Sequence, residues 1–186
     1  MSRIILWVGL SLPAVAWSVT ALRPEADFEA LLGPTGDLSA RLLIVALALT
    51  PLRRLVPRAR WLGWLLRQRR AIGVAAFGYG VLHLIFYVIA MGSLDDMLAE
   101  LGAAGIWTGW LALLAMLPLA LTSNAAAMRV LGRGWKRLQR LAYPAALLTL
   151  AHWVFVHDGL TVALLHFVPL GLLELTRFIQ PQRKLA

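Results

Sequence analysis

Apolar residues in this chain come in long blocks separated by short polar segments, with no strand-like alternation. Six blocks are long enough, or nearly so, to cross about 30 Å of hydrocarbon at about 1.5 Å per helical residue. They lie near 4–22, 38–56, 71–91, 105–123, 141–157 and 160–177. The last two are short and are separated only by Asp158-Gly159; read as one stretch they would exceed 35 residues. A charged turn in the middle of lipid is costly, so the pattern predicts a hairpin. A membrane barrel is excluded by the lack of alternation and the small number of segments. Residues 93–101 (SLDDMLAEL) predict a short amphipathic helix at the outer interface, with Leu94, Met97, Leu98 and Leu101 on one side. Residues 1–22 have the outline of a signal peptide. Trp17 and the apolar run through Leu22 instead fit a retained first span. No internal repeat or second domain is evident, so residues 1–186 read as a single transmembrane domain.

Composition supports the same class. Hydrophobic residues make up 60% of the chain before glycine is counted, against about 45–50% with glycine in soluble domains. No cysteine is present, which excludes a disulfide framework, thiolate catalysis, a Cys-ligated iron–sulfur cluster and a c-type haem attachment. The net charge is +9, but the basic residues flank apolar spans instead of lining a soluble face, which argues against nucleic acid. Residues 23–37 carry Glu25, Asp27, Glu29 and Asp37, and residues 92–104 carry Asp95, Asp96 and Glu100. Opposite them, one loop holds Arg53, Arg54, Arg58, Arg60, Arg67, Arg69 and Arg70, and a second holds Arg129, Arg133, Lys136, Arg137 and Arg140. With Arg3, Arg177, Arg183 and Lys184, 16 of the 18 basic residues fall on one side. The positive-inside rule makes that side cytoplasmic and places both termini there. The expectation is an all-α integral membrane protein with six transmembrane helices.

Ionisable side chains within spans are uncommon and usually functional. His83 follows Arg70 by 13 residues, and His152 follows Arg140 by 12. Both spans run outward, so both imidazoles lie roughly 18–20 Å above the cytoplasmic boundary. Level imidazoles on different helices can supply both axial nitrogens of a haem iron. Such an iron has no open position and suits electron transfer. The same placement fits hydrogen-bonded packing histidines, or a proton or metal path. Zinc is disfavoured because Glu174, the one acid within a span, falls at the inner end. His157 beside Asp158 reads as a wet interfacial residue, or as one that lines a docking surface or orients a quinol head group. His166 reads as a packed, hydrogen-bonded histidine, with a neighbour of the ligands, a proton carrier or a replacement ligand as alternatives. Arg41 is placed to meet a haem propionate or to snorkel. The arginine rows serve as topology signals, with anionic membrane lipids or a nucleotide phosphate as further ligands.

Several strings in order then carry a resemblance. They are TG at 35–36, TPLR at 50–53, RRAIG at 69–73, GYGVLH at 78–83, PLALTS at 118–123 and LGRGWKRLQRLAYPAALLTLAH at 131–152. In order and spacing the chain resembles the MsrQ (YedZ) family, haem-binding membrane subunits of the periplasmic methionine-sulfoxide reductase system. More broadly it resembles the ferric-reductase-like transmembrane domain. The resemblance implies a six-helix bundle in the bacterial inner membrane. It implies b-type haem, with His83 and His152 in the axial-ligand positions. Electrons would arrive from the quinone pool or a cytoplasmic flavin reductase. They would leave to a periplasmic molybdopterin enzyme that repairs oxidised methionine. Some members also hold flavin mononucleotide. The sulfoxide chemistry belongs to that partner, so this chain is expected to be an electron-transfer subunit.

One position departs from the pattern: Gln139 stands where the family usually has histidine. It precedes His152 by 13 residues, as Arg70 precedes His83, so the two mark a second layer about 20 Å nearer the cytoplasm. Glutamine and arginine are poor haem ligands. One firmly held haem is therefore expected, with the inner layer empty, flavin-occupied, quinone-occupied or holding a weakly ligated second haem. The donor side is expected near Arg70, Gln139 and Arg140, and the exit near His157 and residues 92–104. Glu174 and His157 are the candidate proton sites for a quinol donor. The rival readings are a stand-alone ferric or metal-ion reductase, and a small transporter or assembly factor without haem.

Overall fold

The computed structural model describes residues 2–157 and 160–179. The Asp158-Gly159 turn, the side chains of Arg3 and His157, and Arg183 and Lys184 lie outside the described residues. The described residues form α1 (Ser2–Ala21), α2 (Phe28–Leu55), α3 (Arg60–Met91), α4 (Leu94–Glu100), α5 (Ala104–Leu121), α6 (Ala125–Leu131), α7 (Arg133–Leu138), α8 (Ala142–His157) and α9 (Leu160–Ile179), with a 3-10 turn at Gln139–Leu141 before α8. Five of these helices, α1, α2, α3, α5 and α9, are long and apolar enough to cross a membrane. With the apolar side chains they present outward, they make this a multi-pass membrane protein. The sixth predicted crossing corresponds to α8, which has only 16 residues and spans about 24 Å.

Two helices begin well before the predicted spans. The α2 helix starts at Phe28 because Asp27 caps it, its carboxylate accepting from Ala30 N–H at 3.0 Å. Residues 28–37, expected as a polar connection, are therefore helical, including Thr35 and Gly36. The α3 helix starts at Arg60, so much of the arginine-rich segment is helix too. Hydropathy marks where lipid begins, and arginine is a good helix former that extends a helix beyond it. Gly92 ends α3 at φ +67°, a left-handed position suited to glycine. Ser93 then caps the predicted short helix, accepting from Asp96 N–H at 3.1 Å. Leu94, Leu98 and Leu101 on that helix are exposed, as an interfacial position allows.

The core lies among α2, α3, α5 and α8. Ala40, Ala76, Ala145 and Ala146 are buried there beside Leu43, Leu47, Met116 and Leu119. Small residues let helix backbones come close where lipid gives no hydrophobic drive to associate. The α9 helix adds Ala163, Phe167 and Leu170 to this cluster. The α1 helix is more peripheral and is held through Tyr79 on α3. The Tyr79 hydroxyl donates to Leu10 O at 2.5 Å and accepts from Ala14 N–H at 3.2 Å. Those two backbone groups belong to one helical turn, at the place where Pro13 disturbs the ladder.

Candidate functional site

The four central helices bring His83 and His152 together. Their ring centroids are 6.0 Å apart, with planes at 82°. Each ring is oriented by a carbonyl on a neighbouring helix. His83 Nδ1 lies 3.0 Å from Leu32 O on α2, and His152 Nδ1 lies 2.6 Å from Gly105 O on α5. A carbonyl only accepts, so each Nδ1 carries the proton, and Nε2 is the nitrogen through which either ring would bind a metal. This is the arrangement of a metal-binding imidazole.

Glycine makes the close approach possible. A Cβ at Gly36 would stand 3.1 Å from His83 Nδ1, and one at Gly109 would stand 2.7 Å from His152 Nδ1. Gly105 is equally tight, since a Cβ there would meet Val156 Cγ2 at 2.8 Å. Between the helices lies a cavity of about 850 Å³, counting its open mouth. Gly36, Asp37, Ser39, Gly80, Tyr87, Trp110, Met116 and Thr149 line it with the two histidines. At its rim Tyr87 donates to Glu100 at 3.0 Å, tying α4 to α3.

These residues suit a bis-imidazole metal group. Two metal–imidazole bonds of about 2 Å, extended to the ring centres, span about 6 Å, which is the observed separation. The cavity wall is mostly apolar with a few placed polar groups, as in cofactor sites. No group of three His, Cys, Asp or Glu side chains comes together among the described residues, so the donor set is the imidazole pair.

A second cavity lies towards the arginine-rich end of the same four helices. Its volume is about 1120 Å³, again with its open part. Arg69, Arg70, Lys136 and Arg140 line it with Gln139, Trp135, Tyr143 and an apolar wall including Leu43, Leu47 and Leu119. Arg70 and Gln139, thirteen residues before their histidines in sequence, thus face one cavity. Gln139 Nε2 lies 3.3 Å from Thr122 Oγ1 and 3.4 Å from Leu119 O, and Arg70 reaches Met128 Sδ at 2.8 Å. Met116 lines both cavities and is their shared partition.

The remaining candidates stand apart from the imidazole pair. Arg41 pairs with Asp37 at 2.8 Å, so it reaches the cavity through a residue that lines it. His166 points its Nδ1 to Val162 O at 2.9 Å and lies against Trp153, which lines the cavity, with ring centroids 5.1 Å apart. Glu174 is bound by Arg177 at 2.9 Å, and Arg177 also bonds the Tyr143 hydroxyl. The His157 side chain lies outside the described residues.

Sequence reasoning named Thr35-Gly36 and Arg69 without giving them a place in a site, and missed Thr108-Gly109, Tyr87 and Met116. One signal was available. Thr-Gly occurs at 35–36 and 108–109, and Leu-Ala-Leu-Thr at 47–50 and 119–122. The two Thr-Gly pairs play matching parts beside the two histidines.

Comparison with known proteins gives a consistent family. The ferric reductase like transmembrane component matches residues 35–150. The chain is similar to proteins named protein-methionine-sulfoxide reductase heme-binding subunit MsrQ. The protein of Azospira oryzae is 39% identical over 135 residues, covering 69% of this chain and 55% of that protein. That of Ralstonia nicotianae is 34% identical over 158 residues, covering 81% and 71%. That of Rhodospirillum rubrum is 34% identical over 201 residues, covering 99% and 90%. The chain thus spans little more than half the length of the Azospira relative and most of the Rhodospirillum one. No solved structure matches the chain significantly.

Proposed function

The chain belongs to the ferric-reductase-like transmembrane family and, within it, to the MsrQ family, and from that premise we propose that it is the haem-bearing electron-transfer subunit of a methionine-sulfoxide reductase system. The observation that carries the reading is the imidazole pair, 6.0 Å apart between ring centres and backed by two helix carbonyls. His83 and His152 would hold one b-type haem, which would supply one-electron transfer when bound. Asp37 lines the cavity and holds Arg41, which would offer a positive charge to an acidic group of the haem. His166 packs behind Trp153 as a neighbour of the site, not a ligand.

The inner cavity is the donor side. Arg69, Arg70, Lys136 and Arg140 favour an anionic or electron-rich planar donor, and Trp135 and Tyr143 offer aromatic faces. Reduced flavin mononucleotide, delivered by a cytoplasmic flavin reductase, and a membrane quinol both meet that description. In the quinol case Glu174, held by Arg177 beside Tyr143, is the nearest carboxylate to receive protons. Gln139 is occupied with Thr122 and Leu119 and leaves this layer without an imidazole, so one haem is expected per chain.

The charge pattern supports six crossings in the bacterial inner membrane, with α8 as the short fifth one and both termini cytoplasmic. The acidic outer segments, including Asp95, Asp96 and Glu100, offer a complementary face to a periplasmic molybdopterin-containing subunit that carries the sulfoxide chemistry. Proteoliposomes test the relay. Reduced flavin or quinol should reduce the haem band, and the outer partner with oxidised methionine should reoxidise it. Haem that no such donor reduces, or that reoxidises equally fast without the partner, contradicts the reading.

A further inference from the structure

Two segments of the chain build the same device in the same register. On α2 the carbonyl of Leu32, three residues before Thr35, faces His83 Nδ1, and Gly36 leaves room for the ring. On α5 the carbonyl of Gly105, three residues before Thr108, faces His152 Nδ1, and Gly109 leaves the room. In both places the threonine hydroxyl shares its one proton between that carbonyl and the nearer carbonyl four residues back on its own helix. Thr35 Oγ1 is 3.1 Å from Leu32 O and 2.7 Å from Leu31 O. Thr108 Oγ1 is 2.8 Å from Gly105 O and 2.7 Å from Ala104 O. Thr35 is fully buried and Thr108 is 3% exposed, so water does not substitute for the hydroxyls. Threonines often bond back to their own helix. Back-bonding brings each hydroxyl near that oxygen, and at these two matching positions an imidazole meets the same oxygen.

The consequence concerns how electron-rich each imidazole becomes. A carbonyl that accepts the Nδ1 proton draws it outward and makes Nε2 a stronger electron donor, which favours the oxidised state of a bound metal. A second donor on the same oxygen spreads its lone-pair density and weakens that pull. We infer that Thr35 and Thr108 are positioning residues that act through the carbonyl each shares with His83 or His152, and that they hold the reduction potential of the bound group higher than the histidines alone would set it. The inference rests on the haem reading. The Thr108 side has the shorter contacts to both donors, so its contribution is the larger.

The test is a potentiometric titration of the full-length, haem-loaded protein, with haem content measured in parallel. Thr35→Val and Thr108→Val remove the hydroxyl and keep the shape; Thr35→Ser and Thr108→Ser keep the hydroxyl. Both valine variants should retain haem and titrate at lower potential than wild type, with Thr108→Val shifted further. Both serine variants should titrate like wild type. If one valine variant fails to hold haem, the other decides alone. Unchanged or raised midpoints in haem-loaded valine variants overturn the inference and leave the haem reading standing. Serine variants that shift as far as valine also overturn it, because packing would then be the cause. A wild-type protein that binds no haem overturns both.

Discussion

Gly36 and Gly109 decide how near an imidazole comes to a helix backbone, and they are not equivalent. A methyl at 109 would stand 2.7 Å from His152 Nδ1, whereas one at 36 would stand 3.1 Å from His83 Nδ1. Each glycine lies on a helix whose backbone cannot easily yield, so the ring must move. Gly109→Ala should lose most of its haem, and Gly36→Ala should keep more, as read by extracted haem per chain. The histidines themselves were legible in the sequence because ionisable residues stand out in apolar blocks and their distances to the last arginines agree. Thr35-Gly36 stood out only as part of a family string and Thr108-Gly109 not at all, because threonine and glycine are ordinary in membrane helices and only their contacts with the rings distinguish them. Arg41 was legible as a charge, but its i,i+4 pairing with Asp37 was hidden because residue 37 was read as loop.

Helix ends were the least legible elements. Hydropathy located the spans, but Asp27 capping and the helix-forming arginines carry α2 and α3 beyond them. The α2 extension matters, because it adds the turn that holds Leu32, Thr35 and Gly36 against His83. Besides the edge-on contact of Trp17 with the Tyr79 ring, one hydroxyl helps to attach α1. Tyr79→Phe leaves Ala14 N–H and Leu10 C=O without that partner beside Pro13, at a cost of about 1–3 kcal/mol. The expected outcome is a lower melting temperature and faster proteolysis within α1, with haem content little changed. At the centre of the bundle, Met116 separates the two cavities and is only 5% exposed. Met116→Ala should destabilise the protein by about 2–5 kcal/mol, while Met116→Leu, close in volume, should cost less than about 1.5 kcal/mol. Thermal unfolding in detergent compares them.

Across the whole molecule, two cavities lie along one four-helix core, one lined by Asp37 and the two histidines and the other by arginines, and the proposed function rests on both. The proposed orientation rests on charge alone. A cysteine-free chain makes it easy to check. In intact spheroplasts a membrane-impermeant thiol reagent should label Asp95→Cys and leave Arg58→Cys unlabelled until the membrane is opened. The inner cavity was only half legible: Arg70 and Gln139 were picked out by spacing, whereas Arg69 and Lys136 needed the fold. The claim beneath all of this is that His83 and His152 share one iron, and the most direct measurement is a reduced-minus-oxidised spectrum with haem quantified per chain. Wild type should show one low-spin b-type haem, and His83→Ala and His152→Ala should each lose it or show a changed, high-spin spectrum. An unchanged haem spectrum and content in either alanine variant would contradict the account.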